Sequence, residues 1–184
     1  MSKLLLHVCC GPCAVYVAKK LLEDYQGADL KSAPTLFFYN PNIYPFEEYQ
    51  RRFQTVKTWA KKENFELIEG RFNQDDWLEK VKGLENEPEG GARCPVCFRM
   101  RLEETARTAK ENGFEFFAST LTIGRNKKAE VINPIGAALA QKYGLKFIEA
   151  DWKKQGGQEA SNQLSKQENM YRQHYCGCRF SVRN

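Results

Sequence analysis

Seven cysteines stand in three short groups of this 184-residue chain: Cys9-Cys10-x-x-Cys13, Cys94-x-x-Cys97 and Cys176-x-Cys178. None lies outside them. Cysteines that merely fill a core scatter among strands and helices as small hydrophobes. Groups this far apart make sense if the fold carries residues 9–13, 94–97 and 176–178 to one place, and thiolates that converge bind metal or do redox chemistry.

The rest of the chain alternates short apolar runs with stretches of helical periodicity. Lys3–Val8, Thr35–Tyr39, Phe65–Ile68, Phe114–Ala118 and Lys146–Ala150 read as strands. Helices are expected from Pro12 to about Tyr25, from Phe46 to Glu63, over Asp75–Lys82 and from Pro95 to about Asn112. A helical stretch over Ala129–Tyr143 carries Pro134, expected to interrupt it, and Ser165-Lys-Gln-Glu168 reads as a capping box opening a last helix. Gly83, Pro88, Gly90 and Gly91 mark a loop over residues 83–93, and Gly156-Gly157 another. With no repeat, low-complexity tract or linker, one domain over residues 1–184 is expected. Alternating β and α units predict an α/β fold, a parallel sheet with helices on both faces. In such sheets the binding crevice lies beyond the carboxyl ends of the strands. Cys9, Cys10, Cys13, Asn40–Asn42, Ser119–Thr122 and Asp151 all fall at those ends.

Cys13 and Cys97 fall in the first turns of expected helices, where free N–H groups and the helix dipole lower a thiol pKa. Cys9 and Cys10 leave a strand side by side, and successive side chains of a strand point in opposite directions. That geometry suits two neighbouring centres, or one centre and a free thiol, better than a single tetrahedral ion. Cys176 and Cys178 flank a glycine, so both can face one site. An iron–sulfur cubane or a structural zinc each takes about four ligands, and seven thiols exceed one such site. His7, inside the first strand, reads as a satisfied core residue. Asp151, at a strand end, is a candidate acid or oxygen ligand, and Asp75 and Asp76 read as helix-capping residues. Tyr44, Tyr49, Tyr171 and Tyr175 are candidates for stacking a base or giving a proton, with plain packing as the alternative.

A net charge of +5 is too mild to establish nucleic-acid binding by itself. Its distribution says more. Arg93, Arg99, Arg101 and Arg107 lie beside the middle cysteines, and Arg172, Arg179 and Arg183 beside the last. They suit a phosphate-bearing partner, or equally a solvated surface that balances cysteinate charge. Met1–His7 is too short for a signal peptide, and no apolar run nears about 20 residues. The expectation is a cytoplasmic, reducing compartment with no membrane span, where cysteines serve metal or redox chemistry before structural disulfides. The residues leave three readings open: a redox enzyme, a zinc-stabilised RNA-binding module without catalysis, and a thiol–disulfide or desulfurising enzyme.

Five stretches narrow these readings: LLLHVCCGPC (4–13), FFYNPNIYPFEEYQRR (37–52), EPEGGARCPVCFRMRLEETA (87–106), STLTIG (119–124) and YRQHYCGCRFS (171–181). Together they resemble the QueH-type epoxyqueuosine reductases, the non-cobalamin enzymes of queuosine tRNA modification. The resemblance implies a fold related to the adenine-nucleotide α-hydrolases (the HUP fold). It also implies reductive deoxygenation of the epoxyqueuosine epoxide in the tRNA anticodon, with a [4Fe–4S] cluster and an adjacent mononuclear iron. On that basis Cys94, Cys97 and one thiol each from the first and last groups are expected to hold the cubane. The thiols left among Cys9, Cys10, Cys13, Cys176 and Cys178, with Asp151, are expected to hold the iron, with Asp151 and Cys13 as the catalytic candidates. Arg99, Arg101, Arg172 and Arg179 are expected to meet the anticodon stem-loop of the tRNA. An external electron donor is implied as well.

Overall fold

The computed structural model describes residues 3–25 and 32–181; Arg183 lies outside them. Five strands, β1 (Leu4–His7), β2 (Thr35–Phe38), β3 (Leu67–Glu69), β4 (Phe116–Ser119) and β5 (Lys146–Phe147), pair in the order β3-β2-β1-β4-β5. Every pairing is parallel. The helices are α1 (Gly11–Tyr25), α2 (Phe46–Lys62), α3 (Gln74–Lys80), α4 (Arg93–Glu111), α5 (Ala129–Tyr143) and α6 (Gly157–Gln167).

Central strands that read as unbroken apolar runs must be covered on both faces, and they are. Leu4, Leu6, Leu36, Phe38, Phe116 and Ala118 face one way, against Val15, Ala18 and Leu21 of α1 and Val56 and Trp59 of α2. Leu5, Phe37 and Phe117 face the other way, against Phe98, Leu102 and Ala106 of α4 and Ile132 and Leu139 of α5. The expected parallel sheet with helices on both faces is thus what the chain forms. The strand order reverses between β1 and β4, so the crevice opens beyond their carboxyl ends, where Cys9 and Thr120 follow.

His7 stitches this edge of the sheet. Fully buried, it accepts at Nδ1 from the Ser119 hydroxyl (3.1 Å) and donates from Nε2 to the Tyr39 carbonyl (3.0 Å). Ser119 in turn accepts from the Leu121 N–H (3.1 Å). One neutral imidazole therefore joins the ends of β1, β2 and β4, as a satisfied core residue.

Three local expectations need correction. Ser165 opens no helix: it sits in the last turn of α6, with its hydroxyl donating to the Asn162 carbonyl and accepting from Arg172. That helix starts instead at Gly156-Gly157, where a Cβ on Gly157 would stand 1.9 Å from the Trp152 carbonyl oxygen. Pro134 does not interrupt α5: the N–H it lacks would have served the carbonyl of Glu130, an exposed residue in the first turn. Asp75 and Asp76 are not the cap of α3; Asn73 is, accepting from the Asp75 N–H, while the two carboxylates occupy the first turn.

Burial, then the nearby Arg101 charge, depresses the His7 pKa to about 3. An unfolded histidine takes up its proton near pH ~6.5, so between those values the unfolded chain binds more protons than the folded one. Stability contributed by neutral His7 is complete above pH ~6.5 and falls as the pH drops toward 3. Urea midpoints measured from pH 7 to pH 4 should therefore fall more steeply for the wild type than for His7→Gln. Parallel curves would count against the assignment.

Candidate metal centre

The first cysteine group lies where β1 turns into α1. The strand ends at His7, so Cys9 and Cys10 belong to the turn and not to the strand. Their sulfurs stand 3.8 Å apart and do not oppose one another as extended backbone would dictate. Cys13, in the first turn of α1, brings its sulfur to 2.9 Å from that of Cys10. The three Sγ atoms all lie within 4.8 Å of one another, and the Thr120 hydroxyl approaches Cys9 at 3.6 Å. Hydrogen bonds from Cys10 and Cys13 hold the Cys9 thiol well below its ordinary range, despite its burial. Donating to sulfur pushes Cys13 up, so the trio behaves as one thiolate held by two thiols.

The other four cysteines line one small cavity together with Trp77, Arg101 and Lys127. Cys94 and Cys97 come from the first turn and a half of α4. Buried Arg93 fixes their approach by donating to the carbonyls of Leu84, Glu85 and Glu87 at 2.8, 3.0 and 2.6 Å. The Gly90 N–H reaches the Cys94 sulfur at 3.2 Å. Cys176 and Cys178 arrive on an irregular segment clamped from two sides. Tyr44 donates its N–H to the Gly177 carbonyl (2.8 Å), and Ile43 forms an isolated antiparallel bridge with Cys178. From α2, Arg52 donates to the carbonyls of Cys176 (3.0 Å) and Tyr175 (3.2 Å). Gly177 has φ +108°, and a Cβ there would stand 2.8 Å from Ile43 and 3.0 Å from Arg52. A hydrogen bond from Cys178, with Lys127 adding its charge against burial, lowers the Cys176 thiol to about 5. Burial raises Cys94 and Cys97. All seven cysteines are free thiols.

The two sets adjoin. Cys13 and Cys176 both line an open cavity of about 690 Å³, and Lys127 stands on its wall. The Lys127 ammonium acts on Cys9, Cys13 and Cys176 together. Behind the sulfurs, the buried indole N–H of Trp77 and Nε of Arg101 have no hydrogen-bond partner, and both side chains work against the burial that raises Cys97. Gln173, on the wall of the open cavity, works in the same sense on Cys10.

Sequence reasoning singled out neither Lys127, Trp77 nor Gln173. For Lys127 a signal existed in Arg125-Asn-Lys-Lys128, a basic run following β4 at the crevice; for Trp77 and Gln173 no local pattern does. Among the RNA-contact candidates, Arg172 lines the open cavity, Arg99 and Arg179 are exposed, and Arg101 is buried against the thiols, bonded to Asn40. Asp151 lines neither cavity; its carboxylate pairs with Lys153 at 3.6 Å and Lys154 at 3.9 Å.

The profile of the family described as epoxyqueuosine reductase QueH matches residues 4–184. The chain belongs to this family. An epoxyqueuosine reductase QueH of Acinetobacter baylyi is 44% identical over 184 residues, covering all of this chain and 82% of that protein. The QueH of Thermotoga maritima is 35% identical over 185 residues, covering 99% of this chain and 91% of its own. Among solved structures, the U34-tRNA thiolase NcsA of Methanococcus maripaludis, determined with its [4Fe–4S] cluster, superposes with a TM-score of 0.64 at 16% identity. That match covers 99% of this chain and 62% of the thiolase, and it speaks for the fold alone. For this QueH family member, the converged cysteines are a centre for which the α/β sheet provides the frame.

Two measurements check this geometry. Gly177→Ala should unseat the Cys176–Cys178 segment while leaving the sheet folded. Far-UV circular dichroism should then be unchanged, and Cys176 and Cys178 should become readily alkylated. In the metal-free, reduced wild type, alkylation of Cys176 should show a thiolate midpoint near pH 5, moving upward in Lys127→Met. An unmoved midpoint would show that the ammonium does not reach this sulfur.

Proposed function

We propose that this protein reduces the epoxide of epoxyqueuosine in the tRNA anticodon to the alkene of queuosine, as a single cytoplasmic domain over residues 1–184. The observation that carries the reading is the meeting of all three cysteine groups at the crevice edge, beside an open cavity, in a chain of the QueH family. The overall change takes two electrons and two protons, breaks both C–O bonds of the epoxide and releases water. An external donor supplies the electrons.

The seven thiols would hold a [4Fe–4S] cluster and a second, mononuclear iron, and the surroundings fit such groups. Trp77 Nε1 and Arg101 Nε are buried donors without hydrogen-bond partners, which suits acceptance by cluster-bound sulfur. Lys127 and Arg101 bring positive charge to a thiolate-rich site. When bound, these groups supply single-electron transfer and a Lewis-acid seat for oxygen. Cys94 and Cys97, paired on one turn of α4, are assigned to the cluster, with its other ligands drawn from the first and last groups. Of the two candidates for touching substrate, Cys13 lines the open cavity and Asp151 stands outside it. Arg172, on the cavity wall, and exposed Arg99 and Arg179 are placed to meet anticodon phosphates, while Arg101 serves the sulfur side.

A zinc-stabilised RNA-binding module is the second reading. One observation favours it: the Cys9, Cys10 and Cys13 sulfurs all lie within 4.8 Å of one another, near enough to share one ion.

Anaerobic purification followed by iron, acid-labile sulfide and zinc analysis separates the two. The reductase should carry iron and sulfide and should convert epoxyqueuosine in tRNA when chemically reduced; stoichiometric zinc without sulfide would establish the module. Cys94→Ser and Cys97→Ser should each lose most acid-labile sulfide and all turnover. Full sulfide content in either variant would remove that residue from the cluster.

A further inference from the structure

Tyr44 and Phe46 are the exposed large hydrophobic side chains among the described residues, at 38% and 48% exposure. Single exposed rings mean little on a protein surface. These two differ in how they are held. Tyr44 is tied at both ends of its backbone, its N–H to the Gly177 carbonyl and its C=O to the Tyr175 hydroxyl. One face of its ring lies under the Arg179 guanidinium at 4.7 Å. Phe46, at the start of α2, lies in near-parallel register with Tyr49 at 5.9 Å and is braced by Phe72 at 5.3 Å. Both rings are therefore rigid before any partner arrives, and binding through them costs little ordering entropy.

Their place matters as much as their rigidity. The residue bonded to Tyr44 is Gly177, between Cys176 and Cys178, so the Tyr44 backbone adjoins the wall of the thiol cavity, with Phe46 two residues on. Arg51, also on α2 and 59% exposed in its side chain, lies 3.9 Å from Glu48 and over the Tyr171 ring at 5.0 Å, and Arg179 is exposed too. Glu47 is an exposed carboxylate nearby, while Glu48 is neutralised by Arg52. Rigid aromatic faces interleaved with guanidinium groups are the chemistry that holds unpaired bases and their phosphates. A hydrophobic protein partner would not call for these flanking arginines.

We propose that Tyr44 and Phe46, with Arg179 and Arg51, form a base-stacking platform that receives the unpaired anticodon-loop nucleotides next to the modified one. The inference rests on the reductase reading and extends it. The rings hold the loop open beside the cavity, so that the modified nucleoside leaves its stack and enters alone.

The test uses the intact, metal-loaded protein and an anticodon stem-loop carrying 2-aminopurine at either neighbour of the modified position. Tyr44→Ala and Phe46→Ala should each weaken binding roughly 5- to 150-fold by fluorescence anisotropy. They should also abolish the 2-aminopurine response at one neighbour. Tyr44→Phe should restore both, and iron and sulfide content should match the wild type throughout. Wild-type affinity and response in both alanine variants would overturn the platform and leave the reductase reading standing. So would unchanged RNA binding with a raised KM for a protein reductant, which would mark the rings as that donor's dock. If the rings govern RNA binding but no epoxide is reduced, the platform stands and the reductase reading fails.

Discussion

Arg52 carries its charge inside the protein, 2% exposed, and every direction of its guanidinium is used. Nε pairs with Glu48 at 2.7 Å, the two terminal nitrogens reach the carbonyls of Cys176 and Tyr175, and its plane lies over the Tyr175 ring at 5.2 Å. Glu48 completes the arrangement by accepting from the Tyr171 hydroxyl at 2.8 Å. Removing one partner of a buried ion pair costs about 3–5 kcal/mol, because the other is left uncompensated. Residues 168–181 have little regular structure of their own, only a short 3-10 turn at Arg179–Ser181. Their position, and with it that of Cys176 and Cys178, rests on this side chain of α2 together with the Tyr44–Gly177 bond and the Ile43–Cys178 bridge.

The fold and the thiol centre are therefore assembled by different kinds of interaction. The sheet is set by apolar burial on two faces, which is strong and tolerant of detail. The centre is set by a few charged donors aimed at carbonyl groups: Arg52 at the last cysteine segment, Arg93 at the loop before the middle one. Each uses several N–H groups on backbone that has no ladder to join. A parallel sheet leaves the ends of its strands as loops, and these arginines give the loops a fixed shape. The comparison with relatives names the chemistry; the arginines explain how loops so far apart in sequence come to share one cavity.

What could be read from the sequence followed the same division. The strands were legible because a core strand buried on both faces must be an unbroken apolar run, as in Leu4–Leu6 and Leu36–Phe38. The convergence of the cysteines was legible because their grouping has no purpose in a plain core. The start of α6 was not, since it is decided by the close approach of Gly157 to the Trp152 carbonyl and Tyr16, residues a local pattern does not contain. The direction of Cys10 was misjudged because β1 stops at His7, two residues before the cysteine pair. Arg101 read as a surface cation, yet Arg93, Cys97 and Arg101 are spaced by four and share a helix face, and all three are buried. Helical spacing held that information; charge alone pointed the other way.

The antiparallel bridge between Ile43 and Cys178 joins residues 135 positions apart, one from the loop after β2 and one from the final irregular segment. Closing a contact of such long range carries a loop-closure entropy that the seating of the segment must offset. The thiols of residues 9–13 and 94–97 stand on elements that the sheet and its helices position, whereas the last pair stands on a segment held by side-chain and single backbone bonds. The three groups therefore share one place only when residues 176–178 are seated. The last cysteine pair is thus tied to the rest of the centre through the loop after β2 as well as through α2.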